Sequence, residues 1–149
     1  MFAQQMTPHH EQAVEMADMA VKNSTASVQV KSLATQIKKA QAPEIATMTG
    51  WLKSWKAPVK SGMGDMSAMD GMMSGKEMST LRSAKGAAFD RRWVTMMIAH
   101  HRGAIAMSNT VLKTTSTPEV KRLAQAITTA QTAEIKTMQA MLKVNGGQK

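Results

Sequence analysis

Apolar and polar positions follow a helical period through most of this chain. Val30, Leu33, Ala34 and Ile37 stand at i, i+3, i+4 and i+7, and Val120, Leu123, Ala124 and Ile127 repeat that spacing after a shift of 90. Such a stripe buries one face of a helix and leaves the other to water. The match continues through Ala40, Gln41, Glu44, Ile45, Met48, Leu52 and Lys53, whose counterparts are Ala130, Gln131, Glu134, Ile135, Met138, Leu142 and Lys143. Earlier in each copy the shift is 91, so that Met6, His9, His10, Ala13 and Met16 land on Met97, His100, His101, Ala104 and Met107. A unit of about fifty residues suits a helical hairpin better than a short solenoid repeat. Two copies suit an all-α, four-helix domain.

Turn and cap residues divide the pattern. The first helix is expected over about Phe2 to Lys22, followed by a polar break at Asn23-Ser24-Thr25. Ser27 is an N-cap for a second helix running to about Lys56, where Pro58 stops it. A third long helix is expected over about 87–113. Thr117-Pro118-Glu119 then supplies an N-cap, a first-turn proline and a first-turn acid for a helix ending near Val144. The expected organisation is a single domain over 1–149: one repeat over about 1–56, a Met- and Gly-rich linker over about 57–75, a short helix over about 76–84, and a second repeat over about 87–146. Two prolines, Pro8 and Pro43, occur only in the first repeat, where the second has Ala99 and Ala133. Either both helices continue and the carbonyls of Gln4 and Lys39 lose their donors, or Thr7-Pro8 simply starts the first helix.

Composition narrows the class. A chain of 149 residues can bury a sizeable core, and with aromatics at 3% that core must be aliphatic and Met-rich. The net charge of +9 is spread along every helix without a dense basic run, an aromatic-basic pattern or a helix-turn-helix. It reads as a solvated surface, and nucleic acid is not the expected partner. No apolar stretch approaches the roughly 20 residues that span a bilayer.

The candidate chemistry lies in the histidines. All four fall in two adjacent pairs, His9-His10 and His100-His101, with Met6 and Met97 four residues before the second histidine of each pair. Counting outward from each turn at about 1.5 Å per residue puts Glu44 and Met48 beside the first pair, and Glu134 and Met138 beside the second. Met16 and Met107 share a stripe with His9 and His100 at i, i+7. A chain with 16 Met and no Cys that gathers its imidazoles beside thioethers suggests a soft metal, copper first. Singly, such methionines are ordinary core filler and such histidines ordinary hydrogen-bonded groups; the duplicated joint pattern is what favours metal. In the linker, Met63, Met66, Met69, Met72, Met73 and Met78 recur among Gly, Ser and Asp. They are read as an exposed capture strip for Cu(I) or Ag(I), with a promiscuous apolar binding strip as the rival.

The stretches MTPHHEQAVEMA, Q-x-x-E-I-x-x-M-x-x-W-L, GMMS and FDRRWVTMMIAHHRGAIAM resemble the domain of unknown function 305 family over nearly the whole chain. The resemblance implies a ferritin-like four-helix bundle, exported in bacteria to the periplasm or outside the cell, with copper binding and tolerance among its members. It carries the family motif onto His9, His10, Met16, Gln41, Glu44, Met48, Asp90, Met97, His100, His101, Met107, Gln131, Glu134 and Met138. The repeat counterpart of Asp90 would precede residue 1, and residues 1–6 lack the features of a signal peptide. The numbering is therefore read as that of a trimmed or mature form. Arg102 stands where the first repeat has Glu11, so the charge beside the two pairs is opposite.

The leading expectation is an extracytoplasmic copper-binding protein for sequestration, tolerance or handover. Histidine and methionine serve Cu(I), and histidine with carboxylate accepts Cu(II). No turnover is required. A copper-dependent oxidase is the enzymatic alternative; a di-iron one lacks E-x-x-H pairs and enough carboxylates. A basic helical interaction module without metal is a third class. Zinc fits His and Glu but leaves the methionines without purpose. Partners would be the ion and a copper-delivery or acceptor protein, with homo-oligomerisation left open.

Overall fold

The computed structural model describes residues 2–58 and 71–146. Those residues form five helices: α1 Phe2–Lys22, α2 Val28–Ser54, α3 Gly75–Ser83, α4 Gly86–Thr114 and α5 Pro118–Gly146. Local chemistry sets several of the ends. Ser27 accepts at its hydroxyl from Val30 N–H at 3.2 Å and so caps α2. Ser74 and Glu77 close a reciprocal capping box at the start of α3. Pro118 opens α5, where its missing N–H costs nothing. Both α1 and α2 continue through their prolines, Pro8 and Pro43.

α1 packs on α2 and α4 on α5, giving two hairpins that meet along α1 and α4. α1 and α4 run antiparallel. At one end Trp93 donates from Nε1 to the Met16 carbonyl at 2.8 Å, and at the other Met6 shares an apolar cluster with Ala104. Between these ends the rings of His9 and His100 meet. Ala13, Ala17 and Ala20, all fully buried, give α1 a small-residue face.

Two apolar clusters flank the histidine layer. The larger gathers Met16, Ile37, Phe89, Trp93, Met97 and Met138 among others, and the smaller gathers Met6, Met48, Leu52, Ala104 and Ile127 with Ala3. Repeat-equivalent residues therefore fall in opposite clusters: Met6 against Met97, Met48 against Met138, Ile37 against Ile127. Burying Phe89 alone contributes about 1.5–3 kcal/mol.

A short strap, residues 71–74, leads into α3 across the middle of the bundle. Gly71 has φ +81°, and a Cβ there would sit 2.5 Å from the Ala99 carbonyl oxygen and 3.1 Å from the His100 Cα. Only glycine takes that backbone and that approach. The Gln12 side chain clamps the next turn, donating to the Met73 carbonyl at 2.9 Å and accepting from Met73 N–H at 2.8 Å.

Candidate metal centre

α1 contributes His9 and His10, and α4 contributes His100 and His101; all four are buried. His10 Nε2 lies 2.9 Å from Glu44 Oε1 on α2, and His101 Nε2 lies 2.7 Å from Glu134 Oε1 on α5. Each carboxylate comes from the partner helix of the same hairpin, and its side chain keeps a little solvent contact, 19% and 16%. The other two histidines cross between hairpins: the His9 and His100 ring centroids are 3.7 Å apart, their planes inclined by 34°. Burial, and then the neighbouring His9, His101 and His10, hold the His100 imidazole well below the usual histidine range. His100 is therefore neutral at pH 7.

Several polar atoms here are buried without a hydrogen-bond partner: Nδ1 of His10 and of His101, Nε2 of His100, both amide atoms of Gln41, Oε1 of Gln131 and the Ser108 hydroxyl. Leaving such a group unsatisfied costs about 1–3 kcal/mol, and native interiors hold few of them. Most of them belong to the histidines themselves and to Gln41 and Gln131, which stand one helical turn before Glu44 and Glu134.

The thioethers complete the picture. Met6 and Met48 are fully buried in the smaller cluster and Met97 and Met138 in the larger. Met16 lies with Met97 and Met138, whereas Met107 packs against the cluster of Met6 and Met48. The i, i+7 stripe thus sends each of these methionines to the thioethers of the other repeat. Among the described residues no three of His, Asp and Glu assemble into a group able to hold a metal ion. A tetrahedral zinc site needs three or four such donors. The buried neutral thioethers of the same interior favour soft ions such as Cu(I).

Some expected site residues lie elsewhere. Asp90 is not brought to the histidines: its two carboxylate oxygens accept from Ser27 N–H at 3.1 and 3.2 Å, tying the start of α4 to the start of α2. Eleven residues of helix separate it from His101, roughly 16 Å of rise. Met72, Met73 and Met78 are not an exposed strip either. They are 9%, 9% and 6% exposed, and Met73 and Met78 belong to the larger cluster because the Gln12 clamp and the capped α3 turn them inward. Met63, Met66 and Met69 lie outside the described residues. Gln12 and the contact of Gly71 with α4 were not foreseen, since neither a bond spanning 61 residues nor a close backbone approach has a local signal. Ser74-x-x-Glu77 does carry a local signal, that of a capping box, which the reading of the sequence passed over.

Fold and interior together define a helical bundle lined at its centre by His, Glu and Met. The chain belongs to the DUF305 family (domain of unknown function), whose model matches residues 1–142. Among solved structures it is similar to a DUF305 protein of Streptomyces coelicolor described as secreted, with 32% identity, TM-score 0.89, and 97% of this chain and 91% of that one covered. It is also similar to a DUF305 fragment from Deinococcus radiodurans, with 34% identity, TM-score 0.86, and 95% and 93% covered. CopM in its Cu(I)-bound form matches at 33% identity and TM-score 0.79, again over 95% and 93%; CopM has also been solved with Cu(II) and with Ag. No curated protein matches the chain. No helix among the described residues is long and apolar enough to cross a membrane.

Proposed function

We propose that this protein binds copper outside the cytoplasm, for sequestration, tolerance or handover to an acceptor protein. The observation that carries the reading is the duplicated, buried pairing of His10 with Glu44 and His101 with Glu134, in an interior that also fully buries Met6, Met16, Met48, Met97 and Met138. Met6, Met48 and Met107 serve the first pair, and Met97, Met138 and Met16 the second. Cu(I) suits imidazole and thioether, while Cu(II) is accepted by imidazole with the carboxylates close by. Metal-bound forms of CopM and the secreted relative support the class and the compartment. Met63, Met66 and Met69 would take up ions ahead of the buried centre. Binding and release would account for the duplicated His, Glu and Met pattern, and no turnover is required.

The test is an anaerobic titration of metal-free protein with Cu(I) against a chromogenic chelator, with Zn(II) run in parallel. It uses the wild type and a variant with His9, His10, His100 and His101 changed to alanine. Competition that falls in a variant of unchanged helicity supports the reading. Competition that survives intact in that variant removes the histidines from the site, and a wild type that does not compete overturns copper binding itself.

A further inference from the structure

We infer that Glu44 and Glu134 are positioning residues: they fix His10 and His101 as the tautomer protonated on Nε2, so that each chain offers two metal-binding Nδ1 atoms, one per hairpin. The inference rests on the copper reading for the nature of the ion, but its first half concerns the metal-free protein. An ionised carboxylate has only acceptor atoms. At 2.9 and 2.7 Å, the hydrogen therefore sits on Nε2 of His10 and of His101. In a neutral imidazole the lone pair is then on Nδ1. Both Nδ1 atoms are buried and unpartnered.

The arrangement occurs twice on different local sequences, Pro8-His9-His10-Glu11 and Ala99-His100-His101-Arg102, so neither flanking charge nor proline produces it. A ligating histidine commonly gives its other N–H to a carboxylate, which sets ring orientation and raises basicity. Were the carboxylate instead to turn to an ion and give up this hydrogen bond, the buried Nε2–H would lose its partner. A soft ion also gains less from carboxylate oxygen than from imidazole and thioether. The tilted His9–His100 contact does not merge the two positions into one. Imidazole lone pairs lie in the ring plane, and centroids 3.7 Å apart with planes inclined by 34° leave little room for an ion between the two rings.

Long-range proton–nitrogen NMR on the metal-free, 15N-labelled protein reads the tautomers directly. His10 and His101 should both show Nε2–H; an Nδ1–H form at either overturns the inference whatever the metal chemistry. Adding Ag(I), a redox-stable probe for Cu(I), should move the Nδ1 resonances of both and leave their Nε2–H in place. Loss of the Nε2–H signal overturns the positioning role, and no shift at any histidine overturns both this inference and the copper reading. In the same titration Glu44→Ala and Glu134→Ala should each weaken Ag(I) binding at their own hairpin by about 10–100-fold. Glu44→Gln and Glu134→Gln keep an acceptor oxygen and should stay near wild type. Gln variants as damaged as the Ala variants would make the carboxylates ligands instead.

Discussion

The first hairpin threads proline through both of its helices, at Pro8 and Pro43, where the second has Ala99 and Ala133. Each proline removes a backbone donor within two residues of a His–Glu partner. Even so, the two pairs close to 2.9 and 2.7 Å. The geometry of the pair is thus held by how the helices pack rather than by an unbroken backbone beside it. The covers of the two ends differ more. The larger cluster is closed by α3 through Met78 and Leu81, and Met16 is fully buried there. Its counterpart Met107 is only partly buried and lines a cavity of about 250 Å³ with Phe2, Gln5, Ala106 and Thr110. Equivalent chemistry is placed behind unequal doors.

The largest effect expected from breaking this comparison is on the backbone. Position 133 is exposed, as is 43. Ala133→Pro should lower stability by about 3 kcal/mol through the lost helical bond and the ring clash. Pro43→Ala should raise it by less, because α2 has already adapted. Urea denaturation of both variants checks this, and equal tolerance of proline in the two hairpins would show that their backbones are interchangeable. A smaller effect sharpens the contrast in cover. Gly71→Ala meets both a φ of +81° and the Ala99 carbonyl at 2.5 Å. It should cost about 1–3 kcal/mol and speed hydrogen exchange in the strap and α3 while leaving α5 unchanged. Exchange that rises everywhere would mean the strap supports the whole bundle.

The smallest expected effect belongs to both halves at once. His100 is held neutral in the folded chain, well below its ordinary range, whereas the unfolded chain protonates it below about pH 6.5. The unfolded state then binds more protons, so this contribution to stability is complete above about pH 6.5 and is lost as pH falls below it. The slope is at most about 1.4 kcal/mol per pH unit. Thermal melts of metal-free wild type and His100→Asn between pH 7 and 5 measure it; a wild-type slope no steeper than the variant's would place the proton elsewhere.

Much of this was legible because helices write their contacts locally. The 90- and 91-residue shifts, Met four residues before histidine, Q-x-x-E opposite it and Ser27 ahead of an apolar stripe all obey short-range periodicities. What escaped was long-range. Asp90 looked like a ligand because it shares a face with Met97, but Ser27, 63 residues away, takes its carboxylate. Met72, Met73 and Met78 looked exposed because glycine and serine surround them, yet all three are buried, Met73 where a glutamine amide 61 residues back holds its backbone and Met78 on the inner face of α3. Composition reports what a segment can bury, and only the tertiary partner decides whether it does.

The meeting of His9 with His100, with Met6 and Met97, Met48 and Met138, and Ile37 and Ile127 exchanged across it, has the form of an isologous interface, one surface patch paired with its own copy. Two separate copies of one hairpin would need no further instruction to associate this way. Joining them in a single chain fixes the pairing at any concentration and releases each half from having to match itself. Glu11 and Arg102, Pro43 and Ala133, and a strap on one side alone are changes that an identical pair of subunits could only have made twice.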